Sequence, residues 1–499
     1  MQPLSIDSKN AWRVAPTDEA AVIVDAEGYF KAFYQAALRA ESYILIAGWQ
    51  FDTEVPLLRG RDATGAPLPV RFRPFLNALL ERKPGLQIYL LAWDFSIVYA
   101  VEREWMQEER FASGSPDRMH FVFDEHPNAV ASHHQKFVVI DGQVAFVGST
   151  DLCDARWDDR AHTQDNAQRV NLGGDLGRPN HEVQAGVSGE AAEALVELFQ
   201  MRWRGATGAG ITLPEPPATR TEELSLAVAL AELKPDAVLP LRAPRVGIVR
   251  TAPNPDGTVT KETFTLFTSA IAAAERFIYL ETQYFTSRSI AAAFVARLSD
   301  PDRPKLELVL VLPKKADNSK EKFALGEAQS DALGTIEAAA QAGGHEIRFL
   351  CTATACHEHE RTTFIHSKVL VVDDRFLSVG SANLTERSMG LDSELSLVWE
   401  AEADSDLERD IRHVRASLLG EHSERDGREL EAGESMVAVI DRWMGSSSRL
   451  RRCHFESEGA NVVKNMIFDP GGPNTIAGAQ PLVAAVLQES EHGSDAGVR

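Results

Sequence analysis

Short apolar runs alternate with amphipathic stretches from about residue 20 to residue 420 of the chain. In YFKAFYQAALRAESYILIAGWQF (29–51), Phe30, Phe33, Tyr34, Ala37 and Leu38 recur at i, i+3, i+4, i+7 and i+8, which predicts an amphipathic helix. The run YILIAGW that follows is almost wholly apolar, as expected of a strand buried on both faces. FLNALLERK predicts a second helix and LQIYLLAW a second buried strand. Further on, the apolar runs FVVI and QVAFVG flank Asp141-Gly142, the signature of a hairpin.

The pattern then returns. TFTLFTSAIAAAERFIYLETQYF (263–285) aligns without a gap to 29–51, AAFVARL and LELVLVLP repeat the second helix and strand, and IHSKVLVVDDRFLSVGSANL (365–384) repeats HHQKFVVIDGQVAFVGSTDL (133–152). Each half reads helix, strand, helix, strand, hairpin, helix, so the expected class is α/β, with helices on both faces of each sheet. The expected architecture is two pseudo-symmetric α-β-α sandwich halves packed around one shared active site. The first half is assigned to 1–209 and the second to 246–455. A linker is assigned to 210–245, where GITLPEPPATRTEELS lacks periodicity, and a Gly- and Ser-containing tail to 456–499.

Both hairpins carry H-x-K-x4-D-x6-G-S, with His134, Lys136, Asp141 and Ser149 in the first, and His366, Lys368, Asp373, Ser381 and the nearby Asn383 in the second. Side chains two apart share one face of a strand, so each His and Lys point the same way. Halves related by a pseudo-twofold axis would bring both pairs to one pocket. There, two lysines with Ser149, Ser381 and Asn383 can hold the non-bridging oxygens of a phosphodiester. One neutral imidazole can attack phosphorus while the other protonates the departing alkoxide. The lysines supply the positive charge, so no metal is required. Each histidine needs a carboxylate on its other ring nitrogen, for which Glu182 in RPNHEVQ and Glu394 in GLDSELSLVW are candidates, with Asp392 competing for the second role.

The paired H-x-K-x4-D motifs resemble the signature of the phospholipase D superfamily, and the likeness extends over roughly residues 20–420. GSTDLCDARWDD, RPNHEVQ and YLETQYF resemble the phospholipase D enzymes proper. The resemblance implies a phosphohistidine intermediate, with His134 the nucleophile and His366 the acid/base, and no cofactor. It assigns Asp141 and Asp373 a structural role at the strand ends. Asp151 stands where a neutral Asn would bind phosphate better, so it is not expected to touch substrate. Glu182 stands where many relatives have Asp.

Composition narrows the partners. A net charge of −22 argues against a general nucleic-acid binder and against simple adhesion to anionic membranes. The expected substrate is a phospholipid reached by peripheral membrane contact, with water or an alcohol as acceptor, in a monomer. The N-terminus lacks an apolar signal core and no run of apolar residues suits a span, so a cytoplasmic location is expected. Four cysteines are too few for a disulfide framework, and CHEHE (356–360) matches no zinc spacing, so it is read as a polar loop. Trp49, Trp93, Trp157, Tyr284 and Phe285 follow strand ends where they could receive acyl chains or a cationic headgroup, although most large aromatics are core. The rival readings are a cardiolipin-synthase-like phosphatidyltransferase, a nuclease of the superfamily, and a non-catalytic lipid-headgroup-binding protein.

Overall fold

The structure, a computed structural model, describes residues 5–453 apart from 95–103, 105, 129–130, 216–223, 315–318, 356–359 and 447, and also residue 469. Two large mixed sheets form the frame. The first runs, edge to edge, Val238–Leu241, Ala20–Val24, Val183–Ser188, Val144–Gly148, Phe137–Ile140, Tyr43–Gly48, Gln87–Trp93 and Met119–Asp124. The second repeats that order from Arg245–Pro253 through Glu394–Glu400, Phe376–Gly380, Val369–Val372, Phe277–Glu281 and Glu307–Val311 to Glu346–Ala355. The α/β class and the duplicated unit are thus present as expected.

Period-2 alternation sorts the apolar residues into layers. Leu45, Ala47, Val139 and Val147 face a central core that also holds Val371, Val379 and Leu397 of the second sheet. The helices Glu190–Thr207 and Asp406–Ser423 pack into the same core, contributing Leu195, Phe199, Ile411 and Val414. On the opposite face, Ile44, Ile46, Val138 and Ile140 pack under the helices Asp25–Ala37 and Phe72–Arg82. Ile278, Leu280, Leu308 and Leu370 do the same under the second half's outer helices. Strands buried on both faces explain why the sequence shows continuous apolar runs there.

The boundaries differ from the expected division in a reciprocal way. Arg13–Pro16, at the start of the chain, pairs with Arg245–Pro253 of the second sheet, while Val238–Leu241 pairs with Ala20–Val24 of the first. The assigned linker therefore supplies an edge strand, and it also holds the helix Leu226–Leu230. Each exchanged strand covers an edge that would otherwise expose unpaired N–H and C=O groups. In the assigned tail, Asp469 is buried and accepts hydrogen bonds from the Glu386 and Arg387 N–H groups at 3.0 and 2.8 Å, ordering the start of the helix Glu386–Gly390. Among the described residues, no helix is long and apolar enough to cross a membrane.

Candidate active site

Each motif histidine lies on a lead-in segment that pairs with the opposite half. His134 N–H donates to Ser393 O at 2.9 Å, and Ser393 N–H donates back to Ser132 O at 2.9 Å. In the mirror position, His366 N–H donates to His181 O at 2.9 Å and Phe364 N–H to Pro179 O at 2.9 Å. These cross-half ladders present the residue after Ser393 and the residue after His181 to the two imidazoles. Glu394 Oε2 lies 3.0 Å from His134 Nδ1, and Glu182 Oε2 lies 2.8 Å from His366 Nδ1. A carboxylate on Nδ1 keeps the proton there and leaves Nε2 as the nitrogen available for chemistry. Asp392 does not compete: Arg387 binds it and it accepts the Ser132 N–H at 2.7 Å.

Ser149 and Ser381, the expected phosphate ligands, have their hydroxyls on carboxylates. Both are fully buried, and their hydroxyls donate to Glu182 at 2.6 Å and to Glu394 at 2.5 Å. The reason is the neighbouring antiparallel strand. Gly148 and Gly380 let that strand approach so closely that a Cβ would lie 1.8 Å from Gln184 Oε1 and 2.3 Å from Ser396 Oγ. The following serine then meets the glutamate carboxylate at the head of that strand. The G-S of the motif thus orients the groups that orient the histidines.

Lys136 and Lys368 are both buried but differ in their partners. Lys136 Nζ pairs with Asp151 Oδ2 at 3.0 Å, while Asp151 Oδ1 accepts the Trp49 N–H. At the position corresponding to Asp151 stands Asn383, and Lys368 Nζ instead donates to Gln283 Oε1 at 3.2 Å, while each lysine also donates to its motif histidine's carbonyl, Lys136 to His134 O at 3.4 Å and Lys368 to His366 O at 2.6 Å. Burial, with Lys136 and Arg156 nearby, pushes Lys368 down to about 7, against the attraction of Glu182. Burial likewise holds His366 well below its ordinary value, despite Glu182 beside it. Burial opposes ionisation of Glu182, but His366, Arg156 and Lys368 together keep its pKa below the usual carboxylate range. Arg156, within GSTDLCDARWDD, belongs to neither repeated motif, so its spacing carries no signal of this role.

Asp141 and Asp373 stand away from this chemistry, each at the turn of its hairpin with φ of 50° and 56°. Asp141 accepts the N–H groups of Glu41, Ser42 and Tyr43 at 2.7–2.9 Å. Asp373 accepts those of Glu275, Arg276 and Phe277 at 2.7–2.8 Å. Each carboxylate ties a hairpin tip to the start of the neighbouring central strand. Among the aromatics, Trp93, Trp157 and Phe285 are buried, and Trp49 stacks on Trp93 at 5.6 Å while remaining partly exposed. Residues 356–359 of CHEHE lie outside the described residues.

Paired histidines, lysines and glutamates from the two halves thus meet in one duplicated constellation. The family model described as Phospholipase D matches residues 36–325, more than half of the chain, and that described as "Cardiolipin synthase, PLD-like domain" matches residues 267–414. The chain belongs to the phospholipase D superfamily. Phospholipase D A of Dictyostelium discoideum is 25% identical over 449 residues, spanning 77% of this chain and 33% of that protein. Phospholipase D alpha 1 of Cynara cardunculus is 24% identical over 493 residues, spanning 73% and 59%. The chain thus corresponds to only part of the length of these relatives. The phosphatidylserine synthase structure of Haemophilus influenzae shares the fold, with a TM-score of 0.50 at 12% identity, covering 94% of this chain and 96% of that one.

Proposed function

We propose that this protein is a phospholipase D-like phosphodiesterase, transferring the phosphatidyl group of a glycerophospholipid to water or an alcohol through a phosphohistidine. One observation carries the reading: each motif histidine has the other half's glutamate on Nδ1, so two oriented imidazoles serve one site. His134 is the nucleophile. Its Nε2 attacks phosphorus, the headgroup oxygen–phosphorus bond breaks, and His366, which takes up a proton on Nε2 once the phosphodiester anion offsets the cost of its burial, gives that proton to the leaving alkoxide. His366 then takes a proton from the acceptor, whose oxygen displaces His134 from phosphorus. Lys136, Lys368 and Asn383 bind the phosphoryl oxygens. Ser149, Ser381, Glu182 and Glu394 act as positioning residues. The substrate is met at a membrane surface, and the chain acts without nucleic acid as a monomer in the cytoplasm.

A lipid acceptor is the second reading, supported by the match of residues 267–414 to the cardiolipin synthase model. Both readings share the covalent step and differ in what resolves it. The protein is incubated with mixed phospholipids and a short primary alcohol, and the products are identified by mass spectrometry. Phosphatidic acid and phosphatidyl-alcohol in a ratio independent of the headgroup released are expected. Cardiolipin or another diphosphatidyl product as the main species would assign the lipid acceptor instead. A ratio that follows the leaving headgroup would rule out the shared intermediate.

A further inference from the structure

Behind the motif histidines, at the boundary of the two halves, lies a cluster that phosphoryl transfer does not use. Asp25, His162 and His181 come from the first half and Glu421 from the second half's helix Asp406–Ser423, and all four are buried. Their donor atoms converge. His181 Nδ1 lies 2.7 Å from Glu421 Oε1 and 3.3 Å from Asp25 Oδ1. His162 Nε2 lies 2.9 Å from Glu421 Oε1 and 3.6 Å from Asp25 Oδ2. Asp25 Oδ2 is buried with no hydrogen-bond partner. Asp25 itself is held at a φ of 62°, a conformation that costs free energy for a residue other than glycine, and its backbone N–H donates to Glu182 O at 2.8 Å.

The outer ring is as ordered as the inner one. The second nitrogen of each imidazole meets another buried carboxylate: His162 Nδ1 with Asp158 Oδ2 at 2.8 Å, and His181 Nε2 with Glu281 Oε2 at 3.0 Å. Asp158 is fixed in turn by Arg169 at 2.7 Å and the Asn180 N–H at 2.9 Å. Glu281 is fixed by His422 at 2.9 Å, Ser367 at 2.5 Å and the Tyr279 hydroxyl. An imidazole with one nitrogen inward and the other on a carboxylate is the arrangement that orients histidine towards a metal. Charge balance allows it. Asp25, Asp158, Glu281 and Glu421 are opposed by Arg160, Arg169 and the imidazoles of His162 and His181, which these carboxylates favour in the protonated form, so a divalent cation bound by the neutral imidazoles would replace two protons without changing the net charge.

We propose that Asp25, His162, His181 and Glu421 form a closed structural site for one divalent metal ion, best suited to zinc. Two nitrogens and two carboxylate oxygens satisfy its four-coordinate preference. Ligand bonds of about 2.0–2.1 Å place tetrahedral ligand atoms roughly 3.3 Å apart, so the two shortest pairs open by about half an ångström. With four protein ligands the ion keeps no open position, and its role is to fasten the two halves. It does so one residue from Glu182, beside the ladder in which His181 O receives the His366 N–H.

The test uses the tag-free full chain. Native protein is expected to carry about one zinc per chain by elemental mass spectrometry. Unfolding in chelator and refolding should give a metal-free chain whose Tm rises on adding zinc chloride, and whose cobalt form shows the visible bands of a tetrahedral centre. Asp25→Asn and His162→Gln should each lose the bound metal and the zinc-dependent rise. Metal-free native protein whose Tm zinc leaves unchanged would overturn the proposal. So would zinc retained undiminished in both variants, which would place the ion elsewhere. Because metal content and Tm are read without substrate, the outcome stands apart from that of the lipid assay.

Discussion

Glu394 Oε2 stands 3.0 Å from His134 Nδ1, although the two residues belong to different halves of the chain. The same exchange in reverse joins Glu182 to His366 at 2.8 Å. Each histidine thus takes its Nδ1 partner from the opposite half, a pairing that exists only when the two halves are packed together.

Replacing either glutamate should lower kcat far more than it raises KM, because the lost group orients the imidazole without touching substrate. Glu394→Gln and Glu182→Gln are expected to reduce kcat by about 10²-fold or more. Steady-state kinetics on a soluble short-chain phospholipid check this, and an unchanged kcat would remove the positioning role.

His134→Ala and His366→Ala should each abolish turnover, with activity falling by several orders of magnitude. The halves share one continuous core, so a mixture of the two variants should stay inactive. Recovery on mixing would place the working site between chains.

Lys368, held down to about 7 by burial, gives a pH signature. Its folded value lies below the unfolded one, so between about 7 and the ordinary lysine range the unfolded chain binds the extra proton and stability rises with pH. Below about 7 both states are protonated and the slope vanishes. An anion in the site reverses the shift, so binding of inorganic phosphate near pH 8 should draw a proton from solution. Calorimetry in buffers of different ionisation heat measures that uptake, which Lys368→Met should lose.

Asp141 and Asp373 should matter for stability rather than chemistry. Asp141→Ala leaves the N–H groups of Glu41, Ser42 and Tyr43, the last two buried, without their acceptor and puts alanine at a positive φ. A loss of about 2–4 kcal/mol follows from unsatisfied buried donors. Denaturant unfolding reads it, and Asp141→Asn, which keeps an oxygen acceptor and tolerates that φ, should recover part of the loss.

Much of this was legible along the chain, because local chemistry repeats visibly. Runs such as YILIAGW and FVVI are apolar throughout since their strands are covered on both faces, and the duplicated H-x-K-x4-D needs no fold to be seen. Asp141-Gly142 announces its hairpin because both residues tolerate positive φ, which the structure gives them at 50° and 67°. What folding alone decided is pairing at long range. Sequence places Glu182 after the first motif and Glu394 after the second, but only the packing of the halves crosses them to the opposite histidines. Ser149 and Ser381 read as phosphate ligands because a hydroxyl beside His and Lys is chemically apt. The closeness of the next strand, permitted by Gly148 and Gly380, turns them onto carboxylates instead. The reciprocal edge strands, and the meeting of Asp25, His162, His181 and Glu421, have no local signal at all. They arise where segments far apart in sequence bury the same surface, and burial obliges each polar group there to find a partner.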